Sequence, residues 1–207
     1  MKEDRRTRYT KNLIKDTLLE LMHEKSFDKI TVTELCRKAE INRGTFYLHY
    51  VDIYGVLDEL EEDALRMPMI CENGNGAIGQ DSSAGIGYEP GQTYCDLTTD
   101  HYQCPYGICD KIHSNPKYGV IFFDDSLTGH IVEKIASLTK EKYVKDLVQQ
   151  CNLTTQQAET IFYFQLNGCL AINKNIYRNG SENWQETRDL VGGFILGGLR
   201  RYMKKEK

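Results

Sequence analysis

The stretch ITVTELCRKAEINRGTFYLHY, residues 30–50, constrains this chain more than any other, because two helix starts sit close together in it. Thr31 and Glu34 have capping-box spacing: the hydroxyl accepts from the amide three residues on, and the glutamate reaches back to the threonine amide. Val32, Leu35 and Ala39 follow at helical spacing and turn one face toward a core. This helix is expected to stop near Glu40. Asn42 then caps a second short helix, from Arg43 to about Tyr50. Two short helices joined by a turn of about three residues make a helix-turn-helix, whose second helix enters the major groove of duplex DNA.

The second helix has a readable outer face. Phe46 and Tyr50 stand at i and i+4 and, with Ile41, turn toward the core. Arg43, Thr45, Tyr47 and His49 are left outward. Arginine pairs bidentately with guanine or holds a phosphate, and a threonine methyl touches a thymine methyl. Gly44 allows close approach to the sugar-phosphate rail, where helix N-terminal amides favour phosphate. Tyr47 and His49 either reach phosphate oxygens or pack between helices. Lys38 reads as a solvated lysine.

Charge supports this division of labour. The first 50 residues hold 11 Lys and Arg against 8 Asp and Glu, while the remainder holds 15 against 22. A basic end on an acidic body fits a DNA-reading module joined to a part that does not touch DNA. No apolar run is long enough to span a bilayer, and MKEDRRTRYTKN lacks the apolar core of a secretory signal. Seven cysteines, an odd number, suit a reducing compartment better than a disulfide framework, so a cytoplasmic protein without membrane partners is expected.

The rest of the chain is patterned for helices. Residues 5–24 carry Ile14, Leu18, Leu21 and Met22 on one stripe behind the basic residues Arg5, Arg6, Arg8 and Lys11. Phe27 and Ile30 are core plugs in the following link. Asp52 caps a helix to about Arg66, ended by Pro68. Residues 73–91 hold six glycines in nineteen positions and read as a long loop, functional or idle. Helices are expected near Tyr106–His113, from Ile131 to Leu138 and from Tyr143 to Cys151. Thr154 with Gln157 is a second capping box, opening a helix to about Tyr177 that Asn179-Gly180 stops. Ser181 or Asn183 opens a last helix to about Met203. With no strand pattern anywhere, the fold class is all-α. Residues 1–51 are expected to form the helix-turn-helix domain, and 52–207 a helical regulatory and dimerisation domain.

The order of an amphipathic first helix followed by FDKITVTELCRKAEINRGTFYLHYVDIYGVLDEL closely resembles the DNA-binding domain of TetR-type transcriptional regulators, over about residues 7–62. The resemblance implies a three-helix DNA-binding domain, a fourth linking helix and an all-helical ligand-binding and dimerisation body. It places Thr31, Thr33, Arg43, Gly44, Thr45, Tyr47 and His49 at a double-stranded DNA operator. It also implies a homodimer, a small-molecule effector and repression as the usual mode. One departure stands out: where the family often has a phosphate-holding lysine at the start of the fourth helix, this chain has Ile53 beside Asp52. Affinity is then expected to rest more on Arg5, Arg6, Arg8 and the recognition helix. The segment FYFQLNGCLAINKNIYRNG and the terminal amphipathic helix resemble the family's dimerisation pair.

In the last helix, Gly192, Gly193, Gly197 and Gly198 would each cost about 1 kcal/mol relative to alanine. Small residues let another backbone approach closely, either in a self-association surface or in an intramolecular crossing. Phe162, Leu166, Gly193, Phe194 and Gly197 are the candidate interface residues, with Phe164, Ile195 and Leu199 as further apolar content. Tyr94, Tyr102, Tyr106, Tyr118, Phe122 and Phe123, joined by Tyr88, supply the walls of an effector pocket or plain core. CDLTTDHYQCPYGICDKIH concentrates Cys95, Cys104, Cys109, His101 and His113, with Cys71 near the glycine loop. That density suits soft-metal binding or a thiol switch, but the C-x8-C-x4-C spacing is no zinc knuckle, so no metal site or cofactor is assigned. A cysteine–histidine nucleophile pair has no phosphate loop, G-x-S-x-G motif or paired carboxylates beside it, so the chain is not expected to be an enzyme. Two alternatives remain open from sequence: a coactivator working through protein contacts, and a thiol- or metal-responsive regulator.

Overall fold

A computed structural model describes residues 5–66, 116–180 and 184–204. Among the described residues eight α-helices follow in order: α1 (Arg5–Glu24), α2 (Val32–Lys38), α3 (Arg43–Tyr47), α4 (Ile53–Arg66), α5 (Gly119–Phe122), α6 (Thr128–Gln150), α7 (Thr155–Asn179) and α8 (Trp184–Arg200). Short 3-10 turns lie at Phe27–Lys29, Pro116–Tyr118 and Asp125–Leu127. Among the described residues there is no strand, only an isolated bridge between Cys151 and Met203. No helix among them is long and apolar enough to cross a membrane.

Of the described residues, those up to 66 together with 116–128 form one compact unit, and those from 129 onward form another. The first unit therefore reaches beyond the expected boundary at residue 51, taking in α4 and the segment around α5. α1 buries Ile14, Leu18, Leu21 and Met22, the stripe its periodicity marks. Phe27 and Ile30 are buried beneath it, as are Leu35, Phe46, Tyr50, Val56, Leu57 and Leu60. Burying each large apolar side chain contributes roughly 1.5–3 kcal/mol, so this interior supplies most of the unit's cohesion. Its outer seam is ionic. Lys11 pairs with Glu59 and Lys15 with Asp63, each at 2.6 Å, joining α1 to α4.

In the second unit α6 is one continuous helix, not the two pieces expected from sequence. Nothing in SLTKEK breaks a helix. Ser137 and Thr139 lie within it and donate their hydroxyls back to Lys134 O and Ile135 O, both at 2.7 Å, which satisfies these hydroxyls inside the helix. α7 opens on the full capping box: Thr154 Oγ1 accepts from Gln157 N and Gln157 Oε1 accepts from Thr154 N. It ends at Gly180, whose φ of 63° is the left-handed cap conformation. Tyr143 donates to Gln165 Oε1, and its ring meets Phe162 edge-on at 5.4 Å. α8 stops at Arg200, short of the expected Met203. Beyond it, Lys204 donates through its amide to Gln150 O and through Nζ to Val148 O and Gln149 O, satisfying the last carbonyls of α6.

Candidate nucleic-acid interface

The α2–α3 pair is built almost entirely from local hydrogen bonds. Thr31 Oγ1 accepts from Glu34 N at 3.3 Å, which makes half of the expected capping box. The other half is replaced, because the Glu34 carboxylate pairs with the Lys25 ammonium. At the far end, Glu40 N donates to Arg37 O and Ile41 N to Cys36 O, the two crossed bonds of a Schellman turn. That turn requires a left-handed residue, and Glu40 takes it with φ 54°. Asn42 then caps α3, its Oδ1 accepting from Thr45 N at 2.7 Å and Thr45 Oγ1 at 3.0 Å.

With Phe46 fully buried and Tyr50 nearly so, the outer face of α3 is fixed. Arg43 and Tyr47 are exposed, and Thr45 and His49 half-exposed. Because Thr45 donates its hydroxyl proton to Asn42, its methyl and its oxygen lone pairs are what it offers another partner. Arg43 donates through Nη2 to Thr33 Oγ1 on α2, so the two helices present one joined polar edge. A Cβ at Gly44 would lie 3.2 Å from Asn42 Oδ1, and glycine there leaves room for the cap acceptor. The Tyr47 ring meets Phe46 edge-on at 5.4 Å and projects its hydroxyl outward.

Arg5, Arg6 and Arg8 are exposed on the opening turns of α1. Lys38 is not simply solvated: its ammonium pairs with Glu24 at 2.6 Å and Glu20 at 3.5 Å, and the Glu24 hydrogen bond holds the lysine pKa above its ordinary value. Asp52 caps α4 by accepting from Gly55 N at 3.0 Å. Ile53, at the position where a lysine is the family's habit, is half-exposed. Two exposed apolar side chains were not singled out from sequence, Leu48 (81% exposed) and Val51 (89%), both just past α3. The signal was available, since neither shares the buried stripe of Phe46 and Tyr50.

The other candidate residues fall elsewhere. Tyr118, Phe122 and Phe123 are buried in the first unit, where the turn Pro116–Tyr118 packs on α4 and α5 packs on α1. Tyr88, Tyr94, Tyr102, Tyr106, His101, His113, Cys71, Cys95, Cys104 and Cys109 lie outside the described residues, as does the 73–91 loop. Cys36, Cys151 and Cys169 are buried, and burial pushes the Cys36 and Cys151 thiols up. Phe162 and Leu166, expected at a self-association surface, are interior to the second unit. Exposed large side chains on α7 and α8 include Tyr163, Phe164, Tyr177, Leu190 and Phe194, with Gly193 and Gly197 beside the last two.

Residues 14–60, which hold α2, α3 and the turn between them, match the model of the family described as bacterial regulatory proteins, tetR family. By this match the chain carries a tetR-type domain over residues 14–60. It is also 34% identical over 50 residues to YxbF of Bacillus subtilis (strain 168), an uncharacterized HTH-type transcriptional regulator. That match covers 24% of this chain and 13% of YxbF. Among solved structures, the chain resembles the dihydroxyacetone kinase operon activator DhaS, with a TM-score of 0.55 at 16% identity. The superposition covers 94% of this chain and 98% of DhaS, a likeness of fold.

Proposed function

We propose that the chain is a DNA-binding transcriptional repressor that grips a palindromic operator as a homodimer and is released by a small-molecule effector. The observation that carries this reading is the edge formed by Thr33, Arg43, Thr45 and Tyr47, held outward by the buried Phe46 and Tyr50. In this reading Arg43 pairs with a guanine edge, the Thr45 methyl meets a thymine methyl, and Tyr47 and His49 hold phosphate. Thr31 at the start of α2, and Gly44 with the α3 amides, complete the contact set.

Support for self-association comes from α8. Leu190, Gly193, Phe194 and Gly197 stand at i, i+3, i+4 and i+7, so they share one stripe. Leu190 and Phe194 are each 73% exposed, and a Cβ at Gly193 or Gly197 would meet no atom within 4 Å. Glycine's helix cost is offset when a second backbone closes on such a stripe. Two-fold pairing would set two recognition helices about 34–36 Å apart, one turn of B-form DNA. Tyr118, Phe122 and Phe123 are packed within the first unit as core.

The test is a gel shift of the purified chain on the DNA upstream of its own gene, followed by footprinting. A protected inverted repeat with half-sites about one helical turn apart supports the reading. Binding to no segment of that DNA, at low salt and micromolar protein, would discard it.

A further inference from the structure

The corner between α1 and α2 is held from nearly a hundred residues away. Asp124 Oδ2 accepts from Phe27 N at 2.8 Å, and Asp124 Oδ1 accepts from Ser26 Oγ at 3.1 Å. The same carboxylate caps its own turn, with Oδ1 accepting from Ser126 N at 2.8 Å and Ser126 Oγ at 2.6 Å. One aspartate thus closes two 3-10 turns at once, Phe27–Lys29 and Asp125–Leu127. Bonds from neutral donors to an ionised carboxylate are roughly twice as strong as neutral pairs, and these are part-buried.

What the corner controls gives this contact its meaning. Phe27 is buried and its ring meets Tyr54 of α4 edge-on at 5.1 Å. Ile30 N returns to Phe27 O, Lys25 pairs with Glu34 on α2, and Thr31 caps α2 immediately afterwards. The direction in which α2 leaves α1 is therefore set at Ser26 and Phe27. α3 follows α2 through a tight Schellman turn, and Arg43 is tied back to Thr33, so any swing of α2 carries the whole polar edge with it. We propose that Asp124 is a positioning residue for the DNA-reading helices, extending the functional reading domain to a segment outside residues 14–60 and contiguous with the start of α6.

A second fastening lies nearby but acts differently. Lys117 pairs with Asp16 at 2.6 Å, yet both side chains are half-exposed, and exposed pairs contribute little. Lys117→Ala therefore serves as a control that loosens the same segment without touching the corner. The proposal rests on the reading of α2 and α3 as the DNA interface only for its affinity arm.

The experiment compares wild type, Asp124→Ala, Asp124→Asn and Lys117→Ala as full chains, at a temperature where circular dichroism shows equal helix content. Amide hydrogen exchange at Phe27 and affinity for the upstream DNA are both measured. Asp124→Ala should raise Phe27 exchange at least tenfold and weaken DNA binding about tenfold with oligomeric state unchanged. Asp124→Asn, which keeps an acceptor facing the Phe27 amide, should recover affinity to within about threefold of wild type. Lys117→Ala should match wild type in both. Unchanged exchange at Phe27 would overturn the contact, and raised exchange with wild-type DNA affinity would overturn the positioning role. Should wild type itself bind no DNA, the regulatory reading falls, while the exchange result still decides whether Asp124 holds the corner.

Discussion

The Arg43 guanidinium on α3 donates through Nη2 to the hydroxyl of Thr33 on α2, so this exposed side chain is ordered in advance of any partner. Holding a flexible side chain in advance removes part of the ordering cost of association, about 0.5–1.5 kcal/mol per side chain. Arg43→Ala is predicted to weaken operator binding by about 1–3 kcal/mol, while Thr33→Val, which removes the hydroxyl that anchors Arg43, costs about 0.5–1.5 kcal/mol. Fluorescence anisotropy on the footprinted site measures both. A Thr33→Val loss as large as that of Arg43→Ala would show that Thr33 reads DNA itself.

Glu40 occupies the left-handed position of the turn between α2 and α3 with φ 54°. A side chain there costs roughly 1–2 kcal/mol, and glycine's extra unfolded-state freedom costs about 0.5–1 kcal/mol in return. Glu40→Gly is therefore predicted to stabilise the fold by up to about 1 kcal/mol, read as a higher urea midpoint. A lower midpoint would mean that the glutamate side chain itself makes a stabilising contact.

The two phenylalanines Phe162 and Phe194 separate folding from assembly. Phe162 is fully buried against Tyr143, so Phe162→Ala should cost about 3–5 kcal/mol of stability. Phe194 lies on the exposed stripe of α8, so Phe194→Glu should leave the helix content intact and convert dimer to monomer in analytical ultracentrifugation. A Phe194→Glu chain that stays dimeric would move the interface off α8.

Acid should loosen the first unit through two carboxylates. Burial raises the Glu59 carboxyl, but hydrogen bonds from Lys11 and Tyr50, with the Lys11 charge, outweigh it and leave the group below its ordinary value. Burial likewise works against Asp124, and its bonds from Ser126, Phe27 and Ser26 carry it below the ordinary value too. A carboxylate with a depressed folded-state pKa contributes stability above its unfolded value, about 3.9–4.3, and loses it as pH falls through the folded one. Thermal midpoints should thus be insensitive to these two groups between about pH 5 and 8 and fall below about pH 4. Glu59→Gln should flatten part of that acid limb, and an unaltered limb would remove Glu59 from the account.

What a single stretch of sequence determined here was local. Thr31, Asn42, Asp52, Thr154 and Gly180 act on amides or carbonyls within a few residues, so the starts of α2, α3, α4 and α7 and the end of α7 were legible without knowing any neighbour. The outward row of α3 was legible for a similar reason, since Ile41, Phe46 and Tyr50 mark one apolar stripe that leaves Arg43, Thr45 and Tyr47 off it. Only tertiary packing decided the rest. Ile161, Phe162, Tyr163 and Phe164 circle α7 almost completely, so periodicity could not say that Phe162 turns inward and Phe164 outward. The grip of Asp124 on Phe27 spans 97 positions, and Tyr118 and Phe122 join the first unit from a similar distance. No periodicity or cap motif encodes such pairs, because what brings them together is the burial of surfaces that meet only once the helices have formed.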